Sequence, residues 1–182
     1  MNSLSELLIN RRSIRQYTDE LLFPHEVETI MKAALMAPSS KSSRPWHFVL
    51  VEDKTVLEQL SHCKSSGCAF LSGAALAIVV LTDPMLSEAY VEDSAIVATY
   101  IQLQAEDLGL GSCWIQINGR ETENGQDSGD YVRDLLNIPL QMHVCCIVAI
   151  GHKAKAGRPH DESKLLWERI HIEKFRYDSE PE

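Results

Sequence analysis

The chain has 182 residues, of which 45% are hydrophobic and 24% charged, and its formal net charge is −9. That length suits one domain with a buried core. The acidic balance argues against a long nucleic-acid or anionic-membrane surface, because either needs a broad basic face; a local cluster that holds one small anion is still open to it. No run approaches the roughly 18 apolar residues of a membrane span, and the polar opening "MNSLSE" has no apolar leader core, so a cytoplasmic protein is expected.

In chain order, "SLSELLINRR" reads as a short helix with Leu4, Leu7 and Leu8 on one side. It leads into "RRSIRQY", where Arg11, Arg12 and Arg15 crowd around Ser13. Arginine offers planar, paired donors suited to a phosphate, and serine adds a hydroxyl. A helix C-terminus also favours cations through its dipole, so spacing alone leaves both readings open. Adjacent arginines on a helix diverge, so one can bind while the other packs.

"PHEVETIMKAALMAP" is the clearest helix: Pro24 stands at its start, and Val27, Ile30, Met31, Ala34 and Leu35 form an apolar stripe. Past Pro38, "SSKSSR" is a polar loop that can present amides and hydroxyls to a planar ring or merely link helix to strand. A strand follows from Trp46 to Val51, then a short helix in "KTVLEQLSHC". "AALAIVVLTD" is apolar on both faces, as in the centre of a covered sheet.

A long helix is predicted from about Leu86 to Leu108, apolar around much of its circumference and therefore central or at a subunit interface. Its adjacent acids, in "VEDSA" and "AEDLG", read as helix surface or subunit contact. "GLGSCW" lacks the third glycine of a dinucleotide fingerprint and follows a helix, so Gly109 reads as a cap. "GSCWIQI" is a strand or extended turn. Asn118 to Asp130 is a polar loop placed to cover a ligand beside that strand, and "DYVRDLLNIP" is a helix. "QMHVCCIVAIG" is another apolar strand, and a second polar loop precedes a terminal helix or arm that runs to Phe175.

The five cysteines form no C-x-x-C pair and read as reduced, buried thiols, with Cys145 and Cys146 facing opposite sides of their strand. The histidines show no H-x-x-x-H spacing, and there is no G-x-S-x-G elbow, so neither a metal site nor a serine nucleophile is expected. The fold class expected is α+β: one domain over residues 1–182, with a layered, mixed central sheet flanked by helices.

Taken together, "RRSIRQY", "APSSKSSRPWHFVLVED", "AALAIVVLTD", "LQAEDLGLGSCWI", "VCCIVAIGHKAKAGRP" and "WERIHIEKF" resemble the flavin-dependent nitroreductase family over nearly the whole chain. The resemblance implies an intertwined homodimer with FMN at the subunit interface. It also implies ping-pong hydride transfer from NADH or NADPH, through the flavin, to a nitroaromatic, a quinone or a similar small acceptor. By motif match, Arg11, Arg12, Ser13 and Arg15 would hold the FMN phosphate and ribityl chain, and Lys155 or Arg158 would close that site. Pro38, Ser39, Ser40 and Ser42 would reach the ring from the partner subunit, and Trp114, Ile115, Gln116 and Ile117 would lie beside it.

Against the family pattern, Ser42 stands where asparagine is usual and Arg44 where glutamine is usual, and "IQING" lacks a frequent Glu-Gly. These departures bear on the substrate more than on the cofactor. They also motivate the alternative of an FMN-binding carrier or sensor without efficient turnover.

Overall fold

The computed structural model describes residues 3–175. Helices and strands alternate within them: α1 (Leu4–Asn10), α2 (Pro24–Leu35), β1 (Trp46–Val51), α3 (Lys54–Leu60), β2 (Leu76–Thr82), α4 (Tyr90–Asp107), β3 (Leu110–Gln116), α5 (Ser128–Leu136) and β4 (His143–His152). The starts of α1, α2, α3 and α5 are held by nearby side chains, while that of α4 has no side-chain cap. Ser3 and Glu6 form a capping box on α1, Glu26 reaches back to the Phe23 N–H at 2.8 Å, and Asp53 and Asp127 accept from the first turns of α3 and α5.

The strands form one sheet in the order β1-β2-β4-β3, and every neighbouring pair is antiparallel. The expected α+β layers are present, but the sheet is not mixed in direction. The crossover through α4 does leave β2 and β3 pointing the same way; β4 then inserts between them and opposes both. The parallel contact among the described residues is a single bridge, from Ser13, which lies outside the strands, to Ser112 of β3.

Helices cover both faces. On one, α2 and α4 pack over Ile78, Val80, Val148 and Ile150; on the other, α3 and α5 pack over Val79, Leu81, Ile147 and Ala149. Every residue of β2 is buried, which is why its sequence shows no alternation.

One local expectation changes, and one left open is decided. Val80 pairs with Cys146 and Leu81 with Val144, so Cys145 is an extra residue in β4. This bulge overrides strict alternation. Cys145 Sγ meets Thr82 Oγ1 at 3.2 Å, on the same face of the sheet where Cys146 packs with Val80, rather than on the opposite one. All five cysteines are free and buried. The C-terminal stretch is an arm with two short 3-10 turns, Glu162–Lys164 and Trp167–Arg169, and not a helix; Leu166, Trp167, Ile170 and Ile172 are exposed along it.

The segment after α1 is laid tightly across the ends of β3 and β4. Ile14 N–H donates to Ser112 O and Thr18 N–H to His152 O, both at 2.9 Å, and Ala154 N–H donates back to Gln16 O at 3.1 Å. A Cβ at Gly111 would stand 2.8 Å from Ile14 Cγ2, and one at Gly151 would stand 2.9 Å from the Tyr17 ring. Gly111→Ala and Gly151→Ala are each expected to lower stability by about 1–3 kcal/mol through overpacking, read by denaturant unfolding. Unchanged midpoints would mean that the segment is free to lift off the sheet.

Candidate functional site

The tight crossing fixes where the arginines stand. Arg11 is the C-cap residue of α1. The stem of Arg12 lies against Gly157, where a Cβ would come within 2.7 Å of Arg12 Cβ and Cγ. Its aliphatic part therefore packs. The same contact brings the Lys155–Arg158 stretch beside the arginine segment, and His160 N–H donates to Ile9 O at 2.8 Å to hold it there.

Ser13 runs alongside Ser112, the neighbour of Cys113 on β3. Burial pushes the Cys113 thiol up, and Arg15, a Ser13 hydrogen bond, Arg11 and Lys64 pull in the other direction. One point on β3 thus feels three cations from two separated stretches of sequence. The guanidinium of Arg15 also lies 5.9 Å from the centre of the Phe70 ring.

Lys64 was missed by the sequence reading. It sits in a polar turn with no periodicity to mark it, and only the fold brings its charge to act on Cys113 as the arginines do. The Asn118–Asp130 stretch supports that turn, since Ser65 N–H donates to Glu121 O at 2.9 Å. α5 begins at Ser128, two residues before the predicted helix, because Asp127 caps it.

β3 is the edge strand next to this cluster. Antiparallel alternation sends the backbone groups of every second residue away from the partner strand. Ser112 O, which receives the Ile14 N–H, marks the outward set, so the N–H groups of Trp114 and Gln116 also face the edge. No backbone hydrogen bond takes up either one among the described residues. Their side chains are chained together: Trp114 Nε1–H donates to Gln116 Oε1 at 3.0 Å, and Gln116 Nε2–H donates to Asn118 O at 2.9 Å. Ile115 and Ile117 are fully buried in the core on the other face, so their side chains are not available to a ligand.

The serine loop lies elsewhere. After α2 the chain passes Pro38 and Ser39 and makes a turn at Ser40–Ser42. Lys41, Ser42 and Arg44 have φ of 50°, 56° and 47°, and none of them is glycine. Left-handed backbone at such residues is costly and clusters at functional sites. Ser39 Oγ accepts the Arg44 N–H at 2.9 Å, and Asp93 accepts the Ser40 N–H at 2.8 Å. Asp93 is 1% exposed and thus no surface acid. A signal for this was present in the sequence: Asp93 shares the spacing-of-four stripe of Val97, Ile101 and Ala105.

At the other end of α4, Glu106 pairs with Lys153 at 2.7 Å, and Lys153 bridges to Tyr17. The helical rise puts Asp93 and Glu106 roughly 20 Å apart. Within one chain the serine loop and the arginine segment therefore belong to opposite ends of the same helix.

A model of the nitroreductase family matches residues 8–66 and 62–152. The chain belongs to the nitroreductase family. An FMN-dependent nitroreductase from Clostridium difficile R20291 superposes with a TM-score of 0.92 at 40% identity, over 94% of this chain and 100% of that one. A curated relative in Archaeoglobus fulgidus, provisionally named NADH dehydrogenase/NAD(P)H nitroreductase, is 34% identical over 96% of this chain and 100% of its own length. The NADPH-dependent FMN reductase of Bacillus subtilis is 27% identical over 85% of this chain and 67% of its own. No helix among the described residues is long and apolar enough to cross a membrane, and no cluster there has the composition of a metal site.

The cation cluster makes a direct prediction. Inorganic phosphate near its Kd is expected to raise the Tm of the ligand-stripped protein by roughly 1–2 °C, and an Arg11→Ala/Arg15→Ala variant is expected to lose the shift. Equal shifts in both proteins would show that the cluster does not hold phosphate.

Proposed function

We propose that this nitroreductase-family chain is an FMN-dependent, NAD(P)H-driven oxidoreductase acting on small acceptors such as nitroaromatics or quinones. The observation that carries the reading is the fastening of the Arg11–Arg15 segment to β3 through Ser13 and Ile14, so that Arg11, Arg15 and Lys64 all act on Cys113, beside an edge whose outward amides at Trp114 and Gln116 have no backbone partner among the described residues. That donor set fits FMN: a dianionic tail calls for several cations, and a polar ring edge calls for backbone N–H groups. The printed names of the relatives, an FMN-dependent nitroreductase and an FMN reductase among them, support the same cofactor.

When bound, FMN supplies the hydride chemistry between a reduced nicotinamide and the acceptor, so no side-chain nucleophile is needed. The chain's own residues do the holding. Arg11, Ser13 and Arg15 take the phosphate and ribityl end, with Lys64 as a further cation and Lys155 or Arg158 closing the site; Arg12 contributes chiefly by packing on Gly157. The amides of Trp114 and Gln116 receive the ring edge. Ile115 and Ile117 back the strand from the core.

Pro38, Ser39, Ser40 and Ser42 serve the ring of a second copy, which the length of α4 between the two motifs favours. The apolar side of α1 supports such a pairing. Leu4 and Leu8 are 63% and 54% exposed, and Leu4 and Leu7 line a groove of about 500 Å³ with Ala33, Tyr100 and Leu103. Exposed apolar surface of this kind marks contact with another molecule.

Mixing the FMN-loaded protein anaerobically with NADH or NADPH is expected to bleach the flavin absorbance, with return of colour on adding a quinone or nitroaromatic. Bound flavin that neither nicotinamide bleaches would mean a carrier or sensor instead. Arg11→Ala is expected to weaken FMN binding by about tenfold or more, since a charge-assisted bond contributes on the order of 1.5–3 kcal/mol; unchanged affinity would remove Arg11 from the phosphate site. Light scattering at micromolar concentration is expected to give about twice the 20.4 kDa chain mass. A monomer at that concentration would exclude the shared site.

A further inference from the structure

We propose that Asp93 is the positioning residue of the ring-facing loop, a buried carboxylate that sets the backbone shape of Ser39–Arg44 through the Ser40 amide. This rests on the reading that the loop meets the flavin ring.

Asp93 stands in the opening turns of α4, buried, and its two oxygens are used in two directions. Oδ1 accepts the Ser40 N–H at 2.8 Å, and Oδ2 accepts the Ser87 O–H at 2.7 Å. Ser87 Oγ in turn accepts the Ala89 N–H at 3.2 Å. No lysine, arginine or histidine pairs with Asp93 among the described residues. A buried carboxylate without a counter-ion persists only when hydrogen bonds replace its water, and the N-terminal end of a long helix helps to offset its charge. Both conditions are met here, and one of the bonds is spent on a loop outside the helix.

That loop needs an outside restraint. Lys41, Ser42 and Arg44 sit in the left-handed region, which non-glycine residues hold only when their surroundings impose it. Its backbone N–H groups otherwise bond within the loop among the described residues: Ser42 N–H to Ser39 O, Ser43 N–H to Ser40 O, and Arg44 N–H to Ser39 Oγ. The Lys41–Glu88 ion pair does reach outside, but at 3.4 Å with both side chains exposed it is a weak tether. The Ser40–Asp93 bond is the buried link from the loop to the helical body. Without it, the three strained residues are free to relax and the amides and hydroxyls leave the positions in which they meet the ring.

The test compares Asp93→Ala with Asp93→Asn. The asparagine keeps an oxygen for the Ser40 N–H and, with the Ser87 hydroxyl proton turned away, an N–H for Ser87 Oγ, so it is expected to keep most of the restraint and to be damaged clearly less than the alanine. The alanine is expected to stay folded by far-UV circular dichroism. Hydrogen exchange at the amides of Ser40–Arg44 should rise by about tenfold or more in it, the scale of one lost charge-assisted bond. FMN and riboflavin affinities should fall by the same factor, because the defect lies at the ring and not at the phosphate. Unchanged exchange in Asp93→Ala, or equal damage in Asp93→Asn, would overturn the proposal. A loss confined to FMN would place the effect at the arginines and also overturn it. If the wild-type protein bound no flavin at all, the proposed function would fall, and the exchange measurement would still decide whether Asp93 shapes the loop.

Discussion

The close approach of residues 12–17 to the sheet is the constraint on which the site depends. Gly111, Gly151 and Gly157 leave no room for a Cβ against Ile14, Tyr17 and Arg12. Three side chains are thus seated at three glycines, and the backbone between them is fastened to β3 and to the end of β4. An arginine cluster on a free loop would spread to lower its own repulsion. Pinned this way, Arg11 and Arg15 act together on Cys113, as Lys64 also does, in a chain whose charge is otherwise acidic. The positive charge is gathered beside β3 because the backbone that carries the arginines is fastened there.

α4 relates this cluster to the serine loop, the second half of the proposed site. It carries an acid near each end, each turned to a purpose off the helix. Asp93 holds the serine loop, and Glu106 pairs with Lys153, whose backbone bridges to Tyr17. A straight helix between them is a poor hinge, so the distance between the two motifs is fixed by the number of turns. Under the proposed function, that length suits a site shared between copies, in which each chain would offer its arginine segment to one flavin and its serine loop to another.

Much of this was legible in the sequence, for identifiable reasons. The core strands announced themselves because β2 and β4 are buried on both faces, and α2 because its stripe keeps helical spacing between Pro24 and the polar loop. The arginine and serine motifs were visible as local breaks in composition. What was hidden depends on tertiary placement. The order that puts β4 between β2 and β3 leaves no mark in either strand's pattern, so the antiparallel sheet was missed. The bulge at Cys145 shows only in the pairing register. Lys64 comes to act on Cys113, as the arginines do, through the fold of a polar turn. Asp93 did leave a trace, as a charge inside the buried stripe of α4, and was misread because Glu92 beside it is also acidic.

The central claim is that guanidinium and ammonium groups held against β3 grip a phosphate-bearing flavin by its tail. Equilibrium titration of the apoprotein with FMN and with riboflavin tests it most directly, because the two ligands share the ring and differ in the phosphate. The account predicts that FMN binds at least about a hundredfold more tightly, the scale of two charge-assisted hydrogen bonds. Equal affinity for the two would contradict it.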